Sequence, residues 1–440
     1  MSESMVVSRQ RWWLQRGPWI GVGVAVAILL VGAWLRRHTL DDSFINYRIV
    51  RQFQAGNGPV FNAGERVEAF TSPLWLAGLI AGDAVLPFQL EWIGMVGGML
   101  IGASGLVFAA FGARHLHRVA FDGDAGERNL LVPLGALVLA VFPPIYRLIA
   151  TGLEDGLSIA WLGASVWVLG RWSASDERFG LPSAFLIGLG VLVRPDMAPF
   201  CGLFLLAILI GDRGKGWRRS SLMVVAAVAL PVATEVLRMG YFGVLTPNTA
   251  IAKSAHLTRW DWGWNYLRDT MNPYWFWIPV AIIVIAGYVP LLRLFGARDR
   301  SLGDLRRALV AAAFCLGSLV CTLYIVRLGG DYMQTRLLLP AIFGFVAPMT
   351  FVNWRIRRRL DVGVALAGVA LVWLVACGLF LRTPSDDRAV LFEPQNAVTI
   401  DDFAAALPGP IAPETPPGSV FYVADRLPYA SARGATPIII

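Results

Sequence analysis

Two adjacent aspartates, Asp41 and Asp42, directly follow the first long apolar stretch of this 440-residue chain. A carboxylate pair at a membrane boundary is costly to desolvate and calls for a polar partner, so it marks a candidate site. The pair opens a segment from Leu40 to Trp75 that is rich in carboxylates, arginines and aromatics, including Glu65-Arg66-Val67-Glu68. Comparable clusters recur at the ends of later apolar runs. They are Thr151-Gly152-Leu153-Glu154-Asp155-Gly156, Arg194-Pro195-Asp196, Pro247-Asn248-Thr249 with Lys253, and Gly329-Gly330-Asp331-Tyr332 followed by Arg336.

The chemistry that suits this set is glycosyl transfer from a lipid phosphate sugar. Such a reaction needs cations on the departing phosphate, for which Arg194, Lys253, Arg327 and Arg336 are available. It needs a carboxylate to accept the acceptor's hydroxyl proton or to stabilise oxocarbenium-like charge, a part that falls to Asp41 or Asp42. Glu65, Glu68, Glu154, Asp196, Asn248 and Asp331 remain as substrate contacts. Trp260, Trp262, Trp264, Tyr266 and Trp275 suit either sugar rings or an interfacial aromatic belt. Asp41, Asp42 and Asp331 could gather around a divalent cation, although their spacing fits no metal motif.

Each motif also has a plainer reading. Glu154 and Asp155 could cap the helix that follows, Asp41-Asp42 could cap theirs, Arg194-Pro195-Asp196 could be a turn with an internal ion pair, and Gly329-Gly330 could stop a helix. These readings do not explain why all the motifs fall on one side of the membrane.

That side follows from the elements that carry them. Hydrophobic residues make up 56% of the chain and charged residues 15%, with a mean hydropathy of +0.59, which places it among polytopic membrane proteins. The net charge of +8 does not indicate nucleic acid, because Lys and Arg are spread over short loops between apolar runs. Cys201, Cys315, Cys321 and Cys377 lie inside apolar segments and read as buried free thiols. His115 and His117 sit in a basic loop and read as headgroup-facing.

Arg9, Arg11 and Arg16 precede an apolar span from Trp19 to Leu35 with no small-residue cleavage site, so it reads as an uncleaved first helix with its N-terminus inside. Further crossings are expected at 92–111, 129–149, 156–170, 179–193, 198–211, 221–237, 276–295, 308–326, 337–353 and 361–381. The run Ser72–Leu86 decides the parity. If it crossed, the basic loops 213–219 and 355–359 would lie outside, against the positive-inside rule. It is therefore expected along the interface, as is the stretch from Asp42 to Gln54, whose apolar stripe is Ile45, Ile49 and Phe53. The fold expected is an all-α bundle of about eleven transmembrane helices with two interfacial helices in the first outer loop, 36–91. Residues 1–381 form the core, and 382–440 form a short outer tail with a strand-like run Val420-Phe421-Tyr422-Val423.

A first transmembrane helix followed by an outer loop that opens with Asp-Asp and holds two interfacial helices resembles the GT-C superfamily of membrane glycosyltransferases, which use polyprenyl-phosphate sugars. More narrowly, DDSFINYRIVRQFQAGNGPVFNAGERVEAFTSPLW, TGLEDGL, LVRPD, PNTAIAK and GGDYMQTRLLLP, in this order from Asp41 to Pro340, are similar to the AftB family of actinobacterial arabinofuranosyltransferases. The resemblance implies a decaprenyl-phosphoryl arabinofuranose donor, an arabinan acceptor and transfer on the periplasmic side of the plasma membrane. It also implies Asp41 and Asp42 as the catalytic carboxylates, with Arg194, Lys253, Asp331 and Arg336 on motif positions. The family carries a substantial C-terminal periplasmic domain, against which 382–440 reads as truncated. Three other readings stay open: a mannosyltransferase on the same scaffold, a lipid or solute transporter, and an inert envelope scaffold. A transporter would show inverted repeats and ionisable residues at helix midpoints, and neither stands out here.

Overall fold

The computed structural model describes residues 3–117, 129–212, 216–246, 258–331, 333–355 and 362–379. The tail 382–440, the loop 247–257 and Tyr332 lie outside the described residues. The first apolar run belongs to α1 (Glu3–Leu35), and the segment after it holds α2 (Asp41–Gln54) and α3 (Pro73–Val85), ahead of α4 (Leu90–Leu116). After 118–128 come α5 (Leu134–Val141), α6 (Pro143–Leu148) and α7 (Asp155–Ser173), then α8 (Leu181–Gly188), α9 (Gly190–Val193) and α10 (Ala198–Gly211). The remainder comprises α11 (Trp217–Phe242), α12 (Trp260–Met271), α13 (Trp277–Ile283), α14 (Val289–Leu292), α15 (Leu302–Leu328), α16 (Leu339–Val346) and α17 (Val362–Leu379).

Five of the described segments are long and apolar enough to cross a membrane: Arg16–Leu35, α4, α11, Trp277–Gly296 and α15. The 27 residues of α4 or α15 make a rod about 40 Å long, against a hydrocarbon core of about 30 Å. The expected crossing at 129–149 is not one helix. Asn129–Val132 forms an antiparallel strand pair with Val352–Arg355, and the rest splits into α5 and α6. Proline explains the breaks: Pro133 ends the strand, and Pro143-Pro144 cannot continue α5 because a proline ring clashes with the preceding turn.

Helix directions follow from side-chain contacts. Trp34 meets Trp92 at 6.3 Å and Trp19 meets Phe111 at 5.1 Å between ring centroids, so α1 and α4 are antiparallel neighbours. By contrast, α4 and α7 run parallel, joined along glycines at seven-residue spacing. Gly98 meets Gly156, Gly105 meets Gly163 and Gly112 meets Gly170, so close that a β-carbon at any of them would overlap the facing backbone. Small residues at such a seam let two helix backbones touch, the usual route to dispersion contact in membrane bundles.

The end of the bundle away from the polar motifs is tied by Arg306, which is fully buried. Its guanidinium donates to the carbonyls of Trp172, Ser175 (2.6 Å), Glu177 and Gly211 and to the Asp212 carboxylate at 2.7 Å, and it lies over the Trp172 ring. One planar fork thus serves orphan carbonyls at the ends of α7 and α10.

The loop helices form at the expected places, with one difference. The face of α2 turned into the protein is Ser43, Phe44, Tyr47, Ile49 and Val50, whereas Phe53 of the expected stripe is exposed. Packing against Trp75, Leu76 and Leu79 of α3 selects that face.

Candidate active site

The site is assembled where the N-termini of α2 and α7 converge. The chain entering α2 is pinned to the Thr151-Gly152 turn: Leu40 N donates to Thr151 O at 3.1 Å, and the Ser43 hydroxyl donates to the same oxygen at 2.8 Å. From α3, Trp75 Nε1 donates to Gly152 O at 3.1 Å. Gly152 has φ +84°, and a β-carbon there would overlap the Tyr47 hydroxyl, so the turn needs glycine both for its left-handed backbone and for the close approach. Leu40, Leu153 and Met333 pack as a small apolar cluster beside it.

This turn delivers Glu154 and Asp155 to the mouth of α7. Neither caps the helix: Glu154 occupies the cap position with no side-chain cap bond, and both carboxylates face arginines instead. Asp41 and Asp42 likewise fill the first turn of α2, with Leu40 at the cap position. Negative charge there complements the helix dipole. Asp41 is exposed and accepts from the Asp42 amide at 2.8 Å.

Arg336 donates to Asp42 Oδ2 at 2.8 Å and lies 3.8 Å from Glu154 and 3.7 Å from Asp331. Arg194 forks onto Asp196 with bonds of 3.0 and 2.8 Å, reaches Asp155 at 3.3 Å and lies 3.9 Å from Glu154. The turn with an internal ion pair therefore exists, and the same arginine also binds the α7 mouth. Glu154 sits between the two guanidiniums at distances too long for hydrogen bonds. Two arginines thus serve five carboxylates in a largely buried patch, where an unpaired charge would be expensive.

Arg336 is carried by an arm that leaves α15 at Gly329 (φ +100°) and Gly330 (φ +79°), so those glycines do stop the helix. The arm lies against α12. There Tyr266 is buried, with burial first and the Asp331 charge second holding its phenol well above the usual range, so it stays a donor. Trp260, Trp262, Trp264 and Trp275 are exposed, as an aromatic belt requires.

Of the residues singled out in the sequence, the structure brings together Asp41, Asp42, Glu154, Arg194, Asp196, Asp331 and Arg336. Glu68 is placed elsewhere: it is buried and takes both of its bonds, 3.0 and 2.8 Å, from Arg238 at the end of α11. Glu65 is exposed and accepts from Asn62 at 3.1 Å. Asn248 and Lys253 lie outside the described residues. Asp155 was not singled out as a site residue, although its place beside Glu154 in the motif was the available signal. Among the described residues no group of three or more His, Cys, Asp or Glu is placed to hold a metal, because guanidiniums separate the acids.

No family model matches the chain. It is 38% identical over 353 residues, 75% of this chain and 55% of the relative, to a terminal beta-(1->2)-arabinofuranosyltransferase of Mycobacterium tuberculosis. A protein of the same name from Corynebacterium glutamicum is 33% identical over 374 residues, 79% of this chain and 53% of that one. The chain therefore spans about half the length of the curated relatives it matches. Among solved structures, ArnT from Cupriavidus metallidurans bound to undecaprenyl phosphate aligns with a TM-score of 0.50 at 16% identity, covering 88% of this chain and 67% of that one. The similarity thus extends over three quarters of the sequence, and the fold is similar to that of ArnT, with several segments long and apolar enough to make a multi-pass membrane protein.

Proposed function

We propose that the chain is a membrane glycosyltransferase that moves arabinofuranose from decaprenyl-phosphoryl arabinofuranose to an arabinan acceptor on the periplasmic face of the plasma membrane. The observation that carries this reading is the Asp42–Arg336 pair at 2.8 Å beside an exposed Asp41, in a chain similar to terminal arabinofuranosyltransferases. Asp41, exposed at the start of α2, accepts the acceptor's proton. The anomeric C–O bond to the lipid phosphate breaks as the bond to the acceptor oxygen forms, and the polyprenyl phosphate leaves with the bonding pair. Asp42 holds Arg336 in place, and Arg336 faces the departing phosphate; Lys253 is assigned to the same phosphate from its sequence motif alone. Arg194 already has Asp196 and Asp155 as close partners, which suits it to shaping the patch more than to gripping the donor. Glu154, Asp196 and Asp331 line the substrate side, and Asn248 is assigned to the substrate from its sequence motif alone. Glu68, engaged by Arg238, and Glu65 belong to the wall of the outer loop.

The topology proposed is eleven crossings with the N-terminus inside. Two facts support it. α1 and α4 are antiparallel neighbours, so α2 and α3 either both cross or both stay outside, and at 14 and 13 residues they are each about 20 Å long, short of the core. α4 and α7 are parallel, so the broken segment between them returns the chain across the membrane. Purified chain in proteoliposomes, offered decaprenyl-phosphoryl arabinofuranose or the corresponding mannose lipid with an oligoarabinoside, tests the sugar. Transfer of arabinose supports the reading, and transfer of mannose alone replaces it.

A further inference from the structure

Tyr266 sits among the tryptophans of α12, yet it is buried where they are exposed. Trp260, Trp262 and Trp264 are exposed, while Gly263, Tyr266, Thr270 and Met271 form the buried face. That face grips the arm that carries Arg336. The Tyr266 hydroxyl donates to Met333 O at 2.9 Å and accepts from Leu337 N at 3.1 Å, so one oxygen clasps the residues on either side of Gln334-Thr335-Arg336. Further along the same face, Thr335 Oγ1 meets Thr270 Oγ1 at 3.4 Å, and Gln334 Nε2 donates to Asp269 O at 2.6 Å.

The arm needs this support. Thr335 is a buried non-glycine residue at φ +71°, a strained conformation that persists only where its surroundings hold it. Gly330, also left-handed, lies against the Tyr266 ring so closely that any β-carbon would overlap it. α12 itself is fixed to α15: Arg259 N donates to Arg327 O at 2.8 Å, and Gly263 abuts the Val326 carbonyl. The sequence of contacts is thus α15, α12, Tyr266, the arm, Arg336 and Asp42.

We propose that Tyr266 is a positioning residue: its hydroxyl fixes the Met333–Leu337 arm to α12 and thereby aims Arg336 at Asp42. The aromatic ring serves the arm, and no sugar stacks on it. The kinetic part rests on the transferase reading above, whereas the structural part does not. Tyr266→Phe keeps the ring against Gly330 and removes only the clasp, leaving Met333 O and Leu337 N without their partner.

The test compares wild type and Tyr266→Phe of the full chain, reconstituted in proteoliposomes, by two readouts. With decaprenyl-phosphoryl arabinofuranose as donor, kcat is expected to fall about tenfold while KM for the donor stays within about threefold, since a misaimed arginine is felt mainly in the transition state. Amide exchange at Leu337 is expected to accelerate while the α2 amides keep their protection. An unchanged kcat, or a loss no larger than the loss of folded protein, overturns the kinetic part. Unchanged exchange at Leu337 overturns the clasp itself. If wild type transfers nothing, the transferase reading fails on its own and the exchange result still decides whether Tyr266 positions the arm.

Discussion

Substituting Gly152 by alanine probes the geometry that brings Glu154 to Asp42, because two independent penalties meet at that position. The φ of +84° makes any L side chain strained by about 1–2 kcal/mol. The added methyl would also overlap the Tyr47 hydroxyl and lie 3.3 Å from Tyr47 Cζ and 3.4 Å from Ser43 Cβ, an overpacking cost of about 1–3 kcal/mol. Gly152→Ala should therefore destabilise the outer end of the bundle by about 2–5 kcal/mol in total. Tyr47 supplies the control. Its hydroxyl is buried without a hydrogen-bond partner among the described residues, so Tyr47→Phe removes a group whose desolvation costs about 1–3 kcal/mol and also clears the overlap. The double variant should retain only the backbone strain. Thermal unfolding of the four proteins in detergent should rank Tyr47→Phe at or above wild type, then the double variant, then Gly152→Ala, with a coupling of about 1–3 kcal/mol. A Gly152→Ala protein that melts with wild type, or a deficit that Tyr47→Phe leaves whole, would refute the turn as described.

Three further outcomes are expected. Arg306→Met should cost about 3–5 kcal/mol, because it takes a buried guanidinium from the Asp212 carboxylate and the donors from several buried carbonyls. Arg306→Lys should recover little of this, since an ammonium cannot reproduce the fork; the fraction of monodisperse protein on size-exclusion chromatography measures both. Gly163→Leu should separate α4 from α7 and abolish folding, whereas Gly202→Leu, with open space around it, should be tolerated, as judged by the same assay. Single cysteines at positions 83 and 355, probed from outside intact cells with a membrane-impermeant maleimide, should react at 83 and not at 355; the reverse pattern would overturn the proposed topology.

The long helices were legible because membrane helices advertise themselves by length and apolarity. The loop helices were legible too, Ser72 and Pro73 marking the start of α3. Periodicity could not tell which face of α2 turns inward, since Ile45, Ile49 and Phe53 make an apolar stripe as plausible as the Phe44, Tyr47 and Val50 face that α3 selects. The break in the 129–149 segment was written in Pro133, Pro143 and Pro144, but the strand that replaces its first turn depends on a partner more than 200 positions away. At the site, charge types identified most of the members. Their pairing was not legible: Asp42 meets Arg336 at a separation of 294 residues, and Glu68 is drawn to Arg238 by the packing of the outer loop on α11. Tyr266 was visible only as one aromatic among several, and its i+4 spacing from the exposed Trp262 gave no sign that it would be buried against the arm.

In the proposed transfer from a lipid phosphate donor, Asp42 holds Arg336 against the departing phosphate. The most direct test is single-turnover transfer from radiolabelled decaprenyl-phosphoryl arabinofuranose by wild type and by Asp42→Asn, a substitution that keeps the shape of the side chain and removes its charge. Labelled arabinan is expected from wild type, with a loss of at least about a hundredfold in the variant at equal folded protein, the scale on which charge stabilisation at a departing group acts. Equal rates for the two proteins would contradict this role.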